Sequence, residues 1–524
     1  MSSRPTAQAP VGAPGRFVSY AESILDALSE DPRRVVLTEA DGRETAAGPF
    51  RDGVHRMARE LASRGVRRGG TVALLSGNRP EALAARYAAN LLGARIVSLY
   101  EGMAPAALAG ITASVEPAVL IVEPRAREAA DELLSHVRPP TVLALGPSPL
   151  GDDLLACAAR RSADPVPGAA RPDDDWCIRH TGGTTGVPKG IRLSFAAYPH
   201  ALARIAVDAG SPPRFLACST LAHFAGMVAD ATLLCGGSVV LHRAFDPGEV
   251  LAAVERERIT CLWLLPPLLH RLLDHPAAAT TDLSSLRRIT YGGSPASPAR
   301  LLRAKELFGP VLYGGYGQSE AGHITELAPE EHTPARLTTH ATVGRPAPGV
   351  EIAVRDEDGN PVAPGRTGEV TVRSPQAMTG YWQQPELTAE ILRDGWVRTG
   401  DVGYLDDEGF LYLVDRLKDM IIVVGGHVYP TELEELLLTH PGVAACAAFG
   451  APGRDGGEEV HVAVVPAPGR SVTTGSLREF VTARKGAMYA PSAVHVRAAI
   501  PLTPVGKPDK KLLRATYATP GRTA

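Results

Sequence analysis

The sequence predicts an α/β protein. A large N-terminal domain of mostly parallel sheets with helices ends in a hairpin-rich β subdomain, and a small α+β C-terminal domain follows. Three observations predict this. Through the first half of the 524 residues, helical and strand patterns alternate in the rhythm of βαβ units. After about residue 340, short strands separated by Gly/Asp/Pro turns take over. From about residue 417 the order is strand, helix, two strands, helix and strand, that of a small split-βαβ module. The expected divisions are a loose tail at 1–16, a domain at 17–416 with its β subdomain at about 340–416, and a C-terminal domain at 417–524.

Taken in order, Val54, Met57, Ala58 and Leu61 stand at i, i+3, i+4 and i+7, one face of a helix. A strand is expected at 71–75, a helix at 81–92 and strands at 96–99, 118–122 and 141–145. Further strands are expected at 237–241, 261–265, 287–291 and 311–313. The hairpin unit reads VEIAVRDEDGNPV at 350–362 and GEVTVRS at 368–374. The tail offers a strand at 421–424, a helix from Pro430, strands at 443–449 and 459–465, a helix at 476–484 and a strand at 493–498.

Composition narrows the class. Hydrophobic residues make up 44% and charged residues 21%, which excludes disorder throughout. Glycine and proline together make about 19% of the chain against an ordinary share of about 12%, so many tight loops are expected. The net charge of −3 gives no basic excess for nucleic acid or an anionic membrane. The six cysteines are scattered with no Cys-x-x-Cys pair, which indicates neither a zinc site nor a disulfide framework and fits a reducing cytoplasm. No apolar run approaches the roughly 20 residues of a membrane span. The first sixteen residues lack the apolar core of a signal peptide.

The loudest local signal is HTGGTTGVPKG at 180–190. Its glycines let backbone N–H groups turn inward as an anion-binding nest. Its three threonines add neutral donors, and Lys189 adds a point charge suited to phosphate. The loop is expected to lie between a strand, WCIRH, and a helix. It is not a Walker A loop, because Pro188 precedes Lys189 and Gly190 follows it where that pattern needs Ser or Thr.

The stretch Thr181-Gly182-Gly183-Thr184-Thr185-Gly186-Val187-Pro188-Lys189-Gly190 resembles the phosphate signature of the adenylate-forming superfamily, which holds acyl-CoA synthetases, adenylation domains and luciferases. Other signatures follow in the family's order across about residues 50–515. Gly292-Gly293-Ser294-Pro295 resembles the adenine-side loop, and Gly315-Tyr316-Gly317-Gln318-Ser319-Glu320 resembles the Tyr-Gly-x-Thr-Glu segment with Ser319 for Thr. Thr399-Gly400-Asp401 resembles the ribose segment, and Asp415-Arg416-Leu417-Lys418-Asp419 the hinge. Pro501-Leu502-Thr503-Pro504-Val505-Gly506-Lys507 resembles the C-terminal catalytic loop.

The resemblance implies ATP-dependent conversion of a carboxylate to an acyl-adenylate, with pyrophosphate released. It implies Lys507 at the attacking carboxylate and the α-phosphate, Glu320 on Mg²⁺ and Ser319 donating to phosphate. Asp401 is expected on both ribose hydroxyls, and Arg416 on ribose or phosphate or in a surface ion pair. Tyr316 is expected to stack on adenine or to pack in the core. His223, Phe224, Met227, Gly292 and Gly314 are expected around an apolar acid pocket. Lys418 matches the hinge of a mobile C-terminal domain, and Gly425 and Gly426 the acceptor side. There the chain departs from the pattern: Val423-Val424 stands where Ser-Gly or lysine is common, and His427 where Asn or Gln is common.

An α-amino acid is disfavoured, because the 221–227 stretch is apolar where amino-acid-activating members carry an aspartate; Asp230 is nearby without a readable orientation. The expected acid is aryl, cinnamate-like or medium-chain, and the expected acceptor is coenzyme A. The alternative keeps the adenylate and changes the acceptor: an amine, a carrier protein, or activation of another oxyanion, nitrite, to diazotise an aryl amine. A non-catalytic ATP-binding protein is the third reading.

Overall fold

The computed structural model describes residues 16–100, 103–181, 189–205, 212–337, 341–416, 419–423, 426–452, 458–503 and 508–517. Two large sheets organise the N-terminal part. The smaller has eight strands in the order Gly380–Tyr381, Lys189–Ser194, Asp175–Thr181, Arg95–Leu99, Thr71–Leu75, Val119–Val122, Val142–Ala144 and Asp152–Asp153. The larger carries a parallel core in the order Val35–Glu39, Ser238–Leu241, Arg214–Ala217, Cys261–Leu264, Arg288–Gly292 and Leu312–Gln318. These strands are rich in Val, Ile and Leu and lack strict alternation, as strands covered on both faces do.

The periodic face read from the sequence lies in the helix Ala47–Ser63, where Val54, Met57, Ala58 and Leu61 are all buried. A first helix, Tyr20–Ser29, carries a signal that apolar spacing alone passes over. Ser19 Oγ accepts the Glu22 N–H at 3.3 Å, and the Glu22 carboxylate accepts the Ser19 N–H at 3.0 Å, a reciprocal capping box. Its buried face, Ile24, Leu25 and Leu28, joins the main core.

The hairpin-rich strands do not form a separate sheet. Gly322–Leu327 turns back on Leu312–Gln318, Thr342–Pro346 pairs with it, and Leu411–Arg416, Trp396–Leu405, Gly368–Arg373 and Glu351–Arg355 continue the same hydrogen-bonded order. The C-terminal part holds a three-stranded sheet in the order Val443–Pro452, Glu458–Pro466, Ala493–Val496. The expected first strand of the split-βαβ unit, Ile421–Val423, instead pairs with Gly426–Val428 in a ladder of its own. Alternation sorts the two faces of the three-stranded sheet. Ala448, Val460 and Val462 meet Leu433, Leu437 and Leu477, whereas Ala447, Phe449 and Ala463 meet Leu513 of the closing helix Lys510–Tyr517.

Candidate functional site

The residues that flank the phosphate-loop signature lie on two paired strands. Asp175–Thr181 pairs antiparallel with Lys189–Ser194, with Thr181 opposite Lys189. The expected helix after the loop is a strand because Ile191 and Leu193 point inward on alternate positions while Arg192 turns out to Asp175 at 2.9 Å. Gly182, Gly183, Thr184, Thr185, Gly186, Val187 and Pro188 lie outside the described residues.

Tyr381, on the edge of this sheet, connects Lys189 to Glu320. The short strand Gly380–Tyr381 pairs with Lys189–Ser194, placing Tyr381 opposite Ile191. Lys189 Nζ stands 5.3 Å from the centre of the Tyr381 ring, a cation–π contact. The same tyrosine donates its hydroxyl to Glu320 Oε1 at 3.0 Å. The Met378 N–H donates to the Glu320 carbonyl at 2.8 Å, so this glutamate is held through backbone and side chain. Burial pushes the Tyr381 hydroxyl pKa up, and the Glu320 carboxylate adds to it, so the phenol stays a donor. Glu320 and Ser319 occupy the tight turn between Leu312–Gln318 and Gly322–Leu327.

On the neighbouring strands Asp401, 4% exposed, sits directly opposite Arg416. Its Oδ1 meets Arg416 Nε at 2.9 Å. Its Oδ2 accepts the Tyr316 hydroxyl and Gln318 Nε2, both at 2.5 Å. The Thr399 hydroxyl accepts the Asp401 N–H at 3.0 Å. Burial raises the Tyr316 pKa, and Asp401 reinforces it. The Tyr316 ring is buried among Ala321, Ile324, Val350 and Val370. The carboxylate is thus aligned before any ligand arrives.

The segment expected on the adenine side follows the strand Arg288–Gly292. Gly293 has φ +83, a left-handed conformation that suits glycine, and turns the chain before Pro295. The Ser294 Oγ is buried with no hydrogen-bond partner among the described residues. An unsatisfied buried hydroxyl costs about 1–3 kcal/mol and marks a place for a polar ligand atom.

Three of the residues expected on the acid side, His223, Phe224 and Met227, lie at the start of the helix Phe224–Leu234. His223 precedes it and meets the Tyr100 ring edge-on at 5.3 Å, while the Phe224 ring lies 4.3 Å from that of Trp263. Met227 is buried, and its sulfur accepts from Arg179 at 3.9 Å. Gly314 faces the other side of its strand, where a Cβ would stand 2.7 Å from the Tyr291 hydroxyl, so it accommodates Tyr291. Asp230 is fully buried, pairs with Arg86 and accepts the hydroxyls of Tyr87 and Tyr198 at 2.5 and 2.6 Å. It ties three helices together and is not turned to a substrate ammonium.

Residues 26–382 match the AMP-binding enzyme model, and residues 432–507 match the AMP-binding enzyme C-terminal domain. The chain belongs to the AMP-binding enzyme family. The medium/long-chain-fatty-acid–CoA ligase FadD8 of Mycobacterium tuberculosis (strain ATCC 25618 / H37Rv) is 37% identical over 94% of this chain and 89% of its own. A feruloyl-CoA synthase of Amycolatopsis sp is 37% identical over 88% of this chain and 92% of its own. The structure of the amide bond synthetase McbA from Marinactinospora thermotolerans superposes with a TM-score of 0.87, at 40% identity over 95% of this chain and 99% of that one. This AMP-binding enzyme is an ATP-dependent ligase that activates a carboxylic acid as its adenylate. Among the described residues no helix is long and apolar enough to cross a membrane.

In this AMP-binding enzyme His180 lies opposite Gly190 and is 8% exposed, with Nδ1 buried and without a hydrogen-bond partner among the described residues. Burial lowers its pKa to about 4. The folded state therefore holds it neutral while the unfolded chain protonates near 6.5. Its contribution is fully favourable above 6.5 and is lost as pH falls from 6.5 to about 4, by about 3 kcal/mol. His180→Phe is expected to flatten the acid side of the stability–pH curve, measured by urea unfolding between pH 4 and 7. An unchanged slope would remove His180 from that account.

On the strand Leu411–Arg416, Asp415 accepts the N–H groups of Arg416 and Thr431 at 2.7 and 2.8 Å. Burial pushes its carboxyl pKa up to about 6, against the opposing pull of Lys510. Lys510 in turn reaches Glu434 at 2.8 Å, and Arg514 reaches Asp419 at 3.1 Å. Lys418, Gly425 and Lys507 lie outside the described residues; Gly426 opens the strand paired with Ile421–Val423.

Proposed function

We propose that the enzyme condenses a carboxylic acid with an amine through the acyl-adenylate, forming an amide bond. The observation that supports this acceptor is the likeness to an amide bond synthetase at 40% identity across 95% of the chain, together with the departures at Val423, Val424 and His427 on the acceptor side. In the first step a carboxylate oxygen attacks the α-phosphorus, the Pα–O bond to the β-phosphate breaks and pyrophosphate leaves. In the second, the amine nitrogen attacks the acyl carbon, the bond to AMP breaks, and the nitrogen gives up a proton to solvent.

The side chains divide the work. Lys189 and the 182–186 loop hold the phosphates, Asp401 and Arg416 take the ribose hydroxyls, and Ser294 Oγ and Gly293 meet the base. Ser319 donates to the α-phosphate, and Lys507 stabilises charge on the attacked group. Glu320, a single carboxylate steadied by Tyr381, fits Mg²⁺, which takes one or two protein oxygens and otherwise phosphate and water. When bound, that ion neutralises the phosphate oxygens. We assign the reaction to the cytoplasm, where the six cysteines, none in a disulfide, stay reduced.

A second reading, transfer to coenzyme A, draws on the 37% identity to FadD8 and feruloyl-CoA synthase. One experiment separates the two. The adenylate is formed first, monitored by ATP–pyrophosphate exchange, and then coenzyme A, an amine panel and a carrier protein are offered in parallel. Amide product at a rate at least tenfold above thioester is expected; faster thioester formation would replace the amine reading with the coenzyme A one.

A further inference from the structure

We propose that Asp415 is a positioning residue for nucleotide binding: as a carboxylate it ties the Arg416 backbone to the first turn of a distant helix, and so holds the Arg416 guanidinium against Asp401. The inference rests on the assignment of Asp401 and Arg416 to the ribose made above. Asp415 and Arg416 are the last two residues of the strand Leu411–Arg416. Consecutive strand residues face opposite sides of a sheet. Arg416 turns to Asp401, its cross-strand partner, with Nε 2.9 Å from Oδ1. Asp415 is buried on the other side, against the helices Pro430–Leu438 and Lys510–Tyr517. One strand end therefore carries the ribose-side pair on one face and a buried carboxylate on the other.

The helix Pro430–Leu438 opens on a proline, which has no N–H, and Tyr429 before it makes no side-chain cap. Thr431 thus carries the first N–H of the helix, and Asp415 Oδ2 accepts it at 2.8 Å. A carboxylate 16 residues earlier in the chain does the work of a local cap, and its charge suits that end of a helix. Asp415 Oδ1 accepts the Arg416 N–H at 2.7 Å. The Arg416 carbonyl accepts the N–H groups of Asp419 and Met420 at 3.0 and 3.1 Å. Both peptide groups of Arg416 are held, and the grip on its N–H comes from Asp415.

The groups that face Asp415 are Lys510 from the closing helix, and Glu434 and Tyr429 from the helix Pro430–Leu438 and its cap. The ammonium is shared unequally. Lys510 Nζ stands 2.8 Å from Glu434 Oε1, and the same oxygen accepts the Ala448 N–H at 2.7 Å. Two carboxylates with one ammonium between them leave Asp415 undercompensated, and its carboxyl takes up a proton at about pH 6. Once protonated, one oxygen becomes a donor and accepts no longer. Either the Arg416 or the Thr431 N–H then loses its partner. Nucleotide binding is therefore full above pH 7 and weakens as pH falls through about 6.

The test is adenosine binding to the full chain, followed by calorimetry from pH 5.5 to 8. Adenosine carries the ribose and has no phosphate to titrate in that range. For the wild type, a Kd about fourfold higher at pH 5.5 than at pH 7.5 is expected, the change that one group titrating at about 6 gives. Asp415→Asn keeps the size and one acceptor but sets a donor against the second N–H. It should bind adenosine about fourfold more weakly at pH 7.5, show no further loss at pH 5.5, and carry its defect in the KM for ATP rather than in kcat. Lys510→Met removes the shared ammonium and should move the midpoint to higher pH, which a merely structural role would not do. A flat wild-type profile, or an Asn variant with the wild-type profile, overturns the inference. A midpoint unmoved by Lys510→Met overturns the part given to the ammonium. Asp401→Ala binding adenosine as the wild type does overturns the ribose assignment instead, whatever Asp415 does. The wild-type profile needs no variant to fold.

Discussion

Replacing Lys507 with alanine is expected to slow adenylate formation by about 10²–10³-fold, the usual effect of removing one preorganised donor from a charge-developing transition state. As carboxylate oxygen and α-phosphorus approach, negative charge meets negative charge. A nearby ammonium stabilises that arrangement more than it stabilises separately bound ATP, so the loss falls on kcat rather than on nucleotide affinity. Lys507 lies outside the described residues, but the residues on either side of 504–507 are held. Leu502 and Pro508 are bridged, the Asp509 N–H donates to the Pro501 carbonyl at 2.8 Å, and Lys510 pairs with Glu434. Those anchors do not involve Lys507, and the alanine variant is expected to keep its melting temperature. Pyrophosphate exchange and ATP titration on the variant check this; full exchange activity would take the lysine out of the reaction.

Asp401→Ala is expected to raise the KM for ATP at least tenfold and to destabilise the fold by about 2–3 kcal/mol. Three donors converge on that carboxylate: Arg416, the Tyr316 hydroxyl and Gln318 Nε2. Alanine takes this acceptor from Arg416 and the Tyr316 hydroxyl in a site where Asp401 is 4% exposed, while Gln318 Nε2 keeps the Thr399 carbonyl at 3.0 Å. The Arg416 side chain, 43% exposed, recovers part of its hydration, which holds the cost below that of breaking a fully buried pair. Asp401→Asn keeps the shape and one acceptor, and should lose less stability while still weakening ribose binding. Thermal unfolding and ATP titration of both variants measure the two effects separately. An ATP KM unchanged in the alanine variant would remove the ribose assignment.

Much of the fold was readable because its determinants are local. Val54, Met57, Ala58 and Leu61 mark a buried helix face by spacing alone, and the alternation at 443–449 marks a strand with two packed faces. The strand after the phosphate loop was not readable, because its glycine, lysine and arginine conceal a pattern completed only by pairing with Asp175–Thr181. The site was readable as a set of segments and unreadable as a neighbourhood. Tyr381, Trp263, Tyr100 and His323 lie in no signature, yet they contact Glu320, Phe224, His223 and Gly315, which do or which were expected in the site. Trp263 within an expected strand and His323 three residues after Glu320 were the available signals.

By itself the sequence determined the chemistry of this protein: an ordered series of glycine, hydroxyl, acidic and basic segments suited to holding a nucleotide and activating an acid. Only the tertiary structure decided what each segment faces. It turned Gly314 to Tyr291 and Gly315 to His323, enclosed Asp230 among Arg86, Tyr87 and Tyr198, and placed Tyr381 between Lys189 and Glu320. The reason is physical. Residue type and spacing fix which groups a chain can offer, but the face a side chain takes follows from strand register, and register is settled by pairing with strands far away in the chain.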